Sequence, residues 1–256
     1  MDMGIIPAEA TAADLERLSA PDLLNWALSR FGPRFAISTS FQREGLVIVD
    51  MALRMNPATR IFTLDTGRLP QETYEVMEAI RAKYGARIEL VYPATVELEA
   101  MTARFGPDLF RQSVAHRKLC CQIRKVRPME RKLAEFDAFA VGLRREQSEE
   151  RAATAKATQI DGKWKLAPIA DWTAADVEAY LARNEVPRHP LESRGYSSIG
   201  CAPCTRPIAP GESERAGRWW WELDGGKECG LHVTPNGQMK RELDVLLEEV
   251  ITPRRQ

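Results

Sequence analysis

Cysteine is the residue type whose spacing carries the most chemistry in this chain. Five occur: Cys120 and Cys121 side by side, Cys201 and Cys204 as a CxxC on a stretch containing Gly and Pro, and Cys229 alone. Four thiolates in two pairs fit either a tetrahedral zinc or an iron-sulfur cluster. Paired zinc ligands are normally separated by two to four residues so that both sulfurs reach one ion, whereas neighbouring residues can serve separate irons of a cubane, so the adjacent pair favours the cluster. Taken singly, the CxxC would also suit a thioredoxin-type redox pair, and Cys120-Cys121 two buried thiols. Arg117, Lys118, Arg124, Lys125 and Arg127 crowd the first pair, and cations around an anionic cluster tune its electronics. Lys125 is placed one helical turn beyond Cys121. Cys229 stands in Lys227-Glu228-Cys229-Gly230-Leu231-His232, where Lys227 and His232 would lower the thiol pKa and Gly230 would leave room for a substrate. Arginines recur at Arg144, Arg145 and Arg151 and again at Arg206, Arg215 and Arg218, a set suited to clamping a doubly anionic small molecule.

These residues need a frame, and the pattern from Arg34 onward supplies one. RFAIS, RIFTL, RIELVY and DAFAVGL read as buried strands, alternating with the helical stretches REGLVIVDMALRM, PQETYEVMEAIRAKYG closed by Gly85, VELEAMTARFG and CCQIRKVRPMERKLAEF. The last of these places Cys120 at a helix start, with Pro128 kinking or ending the helix. Such alternation predicts an α/β fold, an open, doubly wound, mostly parallel sheet with helices on its faces. RREQSEERAATAKA reads as a charged loop, followed by DGKWKLAPI, a helix from Thr173 to Asn184 and a Pro/Gly-rich segment. Ahead of the frame, Ser19 reads as an N-cap before Pro21 in a short helical appendage. The expected division is an appendage over 1–33, a nucleotide- and cluster-binding unit over 34–210, and a segment carrying Cys229 over 211–256.

In open parallel sheets ligands sit beyond the C-terminal strand ends. Two loops there offer anion donors: Ser38-Thr39-Ser40-Phe41-Gln42 after the first strand and Asp65-Thr66-Gly67 after the second. A plain N-cap and a plain turn account equally well for each loop alone. Neither GxxxxGK[ST] nor GxGxxG is present, which counts against a P-loop ATPase and a nicotinamide enzyme. With 36 basic and 36 acidic side chains, net charge gives no support for a nucleic acid or an anionic membrane as partner. No apolar run approaches the ~20 residues that span a bilayer, and the N-terminus carries acids where a signal peptide would carry lysines. A cytoplasmic location is expected, where cysteines serve as metal ligands or redox catalysts more often than as disulfides.

Five blocks in order now make a recognisable set: Cys120-Cys121-Gln-Ile-Arg124-Lys125, Gly142-Leu-Arg144-Arg145-Glu-Gln-Ser148, Cys201-Ala-Pro-Cys204-Thr-Arg206-Pro, Glu214-Arg215-Ala-Gly-Arg218-Trp219-Trp220-Trp221-Glu222 and Glu228-Cys229-Gly230-Leu231-His232. From about Phe35 to His232 the chain resembles the bacterial assimilatory adenylyl-sulfate (APS) reductases. The resemblance implies an adenine nucleotide α-hydrolase-like fold in which Ser38 to Gln42 and Asp65-Thr66-Gly67 hold the nucleotide. It further implies a [4Fe-4S] cluster on Cys120, Cys121, Cys201 and Cys204, with Cys229 as nucleophile. Lys125, Arg144, Arg151, Arg215 and Arg218 fall where the family contacts substrate and cluster, and His232 closes the motif of the nucleophile. The implied reaction is thioredoxin-dependent reduction of APS to sulfite and AMP, with a reductase of the 3′-phosphorylated substrate (PAPS), or one accepting both, as the alternative. ATP pyrophosphatases of this fold carry SGGxDS in the first loop; its absence here disfavours ATP cleavage. Plant members add a thioredoxin-like domain, so with a chain ending at Gln256 the electrons are expected from a separate protein. Oligomeric state is not legible.

Overall fold

The computed structural model describes residues 10–222 and 237–251. Six strands form one sheet in the order β3-β2-β1-β4-β6-β5. They are β1 (Phe35–Ser38), β2 (Arg60–Leu64), β3 (Ile88–Val91), β4 (Ala138–Val141), β5 (Ala157–Ile160) and β6 (Lys163–Leu166). All neighbours run parallel except β5, which pairs antiparallel with β6. The central strands FAIS and AFAV are short apolar runs buried along nearly their whole length, as strands covered on both faces must be. Because β1 lies between β2 and β4, the strand order reverses there and opens a crevice at the C-terminal edge.

One face of the sheet is covered by α3 (Arg43–Met55), almost entirely buried against β1 and β4 and, on its other side, against α2 (Ala20–Phe31) and α8 (Ala174–Arg183). The N-terminal helices α1 (Ala12–Glu16) and α2 add Leu15, Leu23, Leu24 and Trp26 to this main core. Ser19 caps α2 as expected, accepting from the Asp22 N–H, and α4 (Gln71–Tyr84) ends at Gly85 with φ of 64°. A separate cluster joins α5 (Thr95–Phe105), α6 (Val114–Cys121) and α9 (Gly237–Ile251) around Met101, Leu119, Trp219 and the cysteine pairs. Within it the Arg117 guanidinium meets the Glu222 carboxylate through two bonds of 2.9 Å, both side chains being almost fully buried.

Two elements depart from the reading of the sequence. The helix expected to start at Cys120 and to kink at Pro128 is instead three joined pieces: α6, which ends with the two cysteines, a π turn at Gln122–Val126, and α7 (Arg127–Leu133). Pro128 has no N–H to donate, and the chain adapts upstream of it, where the Arg127 N–H reaches back five residues to the Gln122 carbonyl. Ser113 rather than a residue near the cysteines caps the helix, accepting from the His116 N–H at 3.2 Å. Residues 157–160, of which only Ala157 belongs to the charged loop read from the sequence, form the edge strand β5. It turns into β6 through Asp161 and Gly162, both at positive φ, and the Asp-Gly pair is the signal that marks such a hairpin.

At the other edge, Glu89 on β3 takes both arms of Arg60 at 2.7 and 2.8 Å and faces Lys132 from α7. The Arg60 hydrogen bonds, partly opposed by burial and joined by Lys132, bring its carboxyl down to about 2 from the usual 4.5. A depressed carboxyl stabilises the fold in full above its unfolded pKa and ceases to do so as the pH falls through the folded one. The stability difference between the wild type and Glu89→Gln should therefore be constant above about pH 5, shrink below the ordinary value of 4.5 and be gone near pH 2, as read from urea unfolding at each pH. The Arg117–Glu222 pair should behave differently. Arg117→Met strands a buried carboxylate and should cost on the order of 3–5 kcal/mol, while Arg117→Met with Glu222→Met recovers most of that loss in the same assay.

Candidate active site

A cavity of about 660 Å³ opens at the C-terminal edge of the sheet. The first loop enters it directly from β1: the Thr39 N–H bonds the Phe62 carbonyl at 3.1 Å, so the β1–β2 ladder continues into the loop. Thr39 Oγ1 then accepts the Phe41 N–H at 3.0 Å, and Phe41 turns through φ of 55° to bury its ring in the main core. Ser38, Thr39, Ser40 and Gln42 line the cavity while Phe41 anchors the loop from behind. Gln42 braces as well as lines. Its Nε2 donates to Ser40 Oγ at 2.7 Å, and its Oε1 accepts the Ile199 N–H at 2.6 Å. Only glycine fits at position 45, where a Cβ would lie 2.3 Å from Thr39 Oγ1.

In the second loop Thr66 lines the cavity, and its neighbours shape the turn. Asp65 Oδ1 accepts the Gly67 N–H at 2.8 Å and Oδ2 the Tyr74 hydroxyl at 2.9 Å, while Gly67 adopts φ of 69°. Among the cations, Lys125, Arg151, Arg215 and Arg218 line the cavity. Arg144 does not. Its buried guanidinium lies against Glu44 at 3.0 Å, Glu146 at 3.4 Å and Glu214 at 3.8 Å, tying the loop after β4 to the start of α3.

The four cysteines meet in a smaller adjoining cavity, Cys120 and Cys121 from the last turn of α6 and Cys201 and Cys204 from a tight bend where the Cys204 N–H bonds the Cys201 carbonyl. None is in a disulfide. Three bonds tie this bend and the α6 end to the second loop: Thr66 Oγ1 lies 3.2 Å from Cys201 Sγ, Arg124 Nη1 donates to the Thr66 carbonyl at 2.6 Å, and the Ala202 N–H donates to the Arg68 carbonyl at 2.8 Å. Burial raises the Cys120 thiol and, with the nearby Cys201, pushes Cys204 up to about 11. For Cys201 burial acts in the same direction, but Lys125, the Thr66 hydroxyl, Arg218 and Arg124 overcome it and hold the thiol below its ordinary value.

The surroundings suit an anionic occupant with sulfur at its surface. Arg117, Arg124, Lys125 and Arg218 all border the cysteine cavity. Trp219, at φ of 41°, has the guanidinium groups of Arg117 and Arg218 at 4.3 and 4.6 Å from its ring. Arg124 Nε and Trp219 Nε1 are buried donors that find no hydrogen-bond partner among the described residues. Among those residues, too, no three His, Cys, Asp or Glu side chains are spaced to close on a single metal ion. A lone zinc would draw four sulfurs to ~2.3 Å, whereas a cluster takes one thiolate per iron, so the donor set fits a four-iron cluster better than zinc.

Lys125, Arg218 and Trp219 border both cavities. Cys229 and His232 lie outside the described residues. The buried pairs Glu44–Arg144 and Arg117–Glu222 and the Thr66–Cys201 contact were invisible to motif reading, because each joins residues far apart in the chain. No helix among the described residues is long and apolar enough to cross a membrane.

Against known proteins, residues 34–207 match the phosphoadenosine phosphosulfate reductase domain. The chain is 43% identical over 232 residues to an adenosine 5′-phosphosulfate reductase of Burkholderia cepacia, covering 89% of this chain and 93% of that one. A protein of the same name from Allochromatium vinosum is 46% identical over 197 residues, 76% of this chain and 77% of that one. Among solved structures, the phosphoadenylyl-sulfate reductase of Candida auris in its phosphate complex superposes with a TM-score of 0.66 at 27% identity, over 80% of this chain and 99% of that one. The adenine nucleotide α-hydrolase-like fold and the family expected from the five motif blocks are thus both found, and the chain belongs to the phosphoadenosine phosphosulfate reductase family, a family of oxidoreductases acting on sulfur.

Proposed function

We propose that this protein reduces APS to sulfite and AMP in sulfate assimilation, with thioredoxin as electron donor, Cys229 as nucleophile and a [4Fe-4S] cluster held by Cys120, Cys121, Cys201 and Cys204. The observation that carries the reading is the shared wall: Lys125 and Arg218 border both the nucleotide-sized cavity and the cysteine cavity. The names of the bacterial relatives support the substrate. When bound, the cluster supplies negative charge and a covalent tie between the end of α6 and the 201–204 bend.

The chemical difficulty is bringing a thiolate onto an anionic sulfate. Lys125, Arg215 and Arg218 offset that repulsion, and with Arg151 they stabilise charge developing on the phosphate. Ser38, Thr39, Ser40 and Gln42 present hydroxyls and an amide to the nucleotide, and Thr66 does so from the second loop. Cys229 thiolate attacks the sulfate sulfur, the bond from sulfur to the bridging oxygen breaks, and AMP leaves with that electron pair, giving a cysteine S-sulfonate. A thioredoxin thiolate then attacks Cys229 Sγ, and sulfite departs with the electrons of the S–S bond. The second thioredoxin thiol resolves the mixed disulfide, releasing Cys229. His232, close in sequence, assists the Cys229 thiol. Arg144 acts on this site through Glu44 and the loop after β4.

Incubation with APS and no reductant should add one SO₃, ~80 Da, to the Cys229 peptide, and thioredoxin should remove it. Cys229→Ser should bind APS yet form no adduct and release no sulfite; an adduct on another cysteine would refute the assignment. Anaerobic protein should be brown, absorbing near ~400 nm and containing iron and sulfide in place of zinc. Lys125→Ala should keep its iron but lose 10²-fold or more in kcat/KM, on the order of 3 kcal/mol. APS should turn over faster than PAPS in a side-by-side sulfite assay.

A further inference from the structure

Beyond the first two loops and the cysteine pairs, the large cavity has a second wall made by the β5–β6 hairpin. Strand β6 presents Trp164 and Leu166 to the main core, so its other two side chains, Lys163 and Lys165, face the cavity. Lys163 is committed elsewhere, donating to the Phe136 carbonyl at 2.6 Å. Lys165 is not. Half-buried beside Phe139 of β4, its side chain makes no hydrogen bond or ion pair among the described residues. Its electrostatic neighbour is Arg151, another cation on the same cavity wall, and burial together with that charge lowers the lysine pKa. The cavity's carboxylates do not answer it: Glu44 and Glu214 face Arg144, Asp161 sits exposed in the hairpin turn, and Glu130 sits exposed on α7. Arg151 has partners of its own, its Nη1 donating to Gln147 Oε1 at 2.7 Å and its charge acting on Glu150, whereas the half-buried Lys165 ammonium lacks a counter-charge, a cost that an anion in the cavity would offset.

We infer that Lys165, beside Arg151, forms a phosphoryl-binding subsite on the β6 wall, separate from the wall that Lys125 and Arg218 share with the cysteines. The inference rests on the nucleotide reading of the cavity given above. The group bound is a phosphate on the ribose of the nucleotide. The 5′-phosphate of the AMP moiety and a 3′-phosphate share that chemistry, and different ligands separate them. No role in the chemical step is assigned to Lys165.

The test is calorimetric binding of adenosine, AMP and adenosine 3′-monophosphate to the purified protein and to its Lys165→Met and Lys165→Arg variants. Lys165→Met should narrow the affinity advantage of one of the two phosphates over adenosine by about tenfold or more, the scale of a lost charge-assisted hydrogen bond, and leave adenosine within about twofold. Lys165→Arg should keep most of that advantage. Because the substitution removes an uncompensated charge, the Tm of Lys165→Met should not fall. Loss with AMP identifies the 5′ position, and loss with the 3′ isomer the other. The subsite is overturned if neither phosphate loses its advantage, if all three ligands weaken equally, or if the Tm drops and binding of all three falls with it. An unchanged phosphate advantage alongside normal APS reduction removes the subsite and keeps the proposed reaction. A Lys165-dependent phosphate preference in a protein that fails to reduce APS does the reverse.

Discussion

Positive charge concentrated around four buried thiols is the constraint on which much of this structure turns. Arg117, Arg124, Lys125 and Arg218 gather at one small apolar-walled space, and two of the donors there, Arg124 Nε and Trp219 Nε1, have no partner among the described residues. Burying cations is costly unless anionic groups balance them. Glu222 balances Arg117. For the remainder, thiolates joined to a metal-sulfur core would add counter-charge in the proposed function. The mixed shifts of the thiols express the same competition. Burial prevails at Cys120 and Cys204, and the surrounding cations prevail at Cys201.

From that centre, short bonds run outward into the nucleotide loops. Thr66 touches Cys201 with its hydroxyl and receives Arg124 on its carbonyl, so one residue of the second loop senses both cysteine pairs. Gln42 holds the Ile199 N–H just ahead of the CxxC bend, which joins the first loop to the same element. Loss of order at the cysteines would therefore reach both loops without passing through the sheet. The π turn contributes by carrying Lys125 and Arg124 on a widened stretch of helix between the cysteine cavity and the larger one.

The sheet fixes where all this occurs. Reversal of strand order between β1 and β4 opens the crevice, and close backbone approach keeps it narrow: a Cβ on Gly142 would lie 2.6 Å from the Gly45 nitrogen. Arg144 locks the same corner through Glu44, its guanidinium buried against that carboxylate and not among the residues that line the cavity. Edge strand β5 and its neighbour β6 extend the cavity beyond what the nucleotide loops alone enclose, and β6 brings two lysines to its far side.

Read alone, the chain determined its alternating strand and helix order, the helix caps at Ser19 and Gly85, the two loops at the strand ends and the pairing of its cysteines, because each is a matter of local spacing or periodicity. The same locality explains what it left open. Where α6 begins depends on Ser113 and on a π turn that accommodates Pro128, a hydrogen-bond rearrangement with no periodic signature. The edge strand β5 carries polar, exposed residues, so its Asp-Gly turn was its only legible mark. Convergence of Cys120 and Cys121 with a bend some eighty residues later, and the pairing of Arg144 with Glu44, are contacts between distant segments. Only the tertiary structure decides these, since charge partners and shared cavities follow from packing in three dimensions and leave no repeat along the chain.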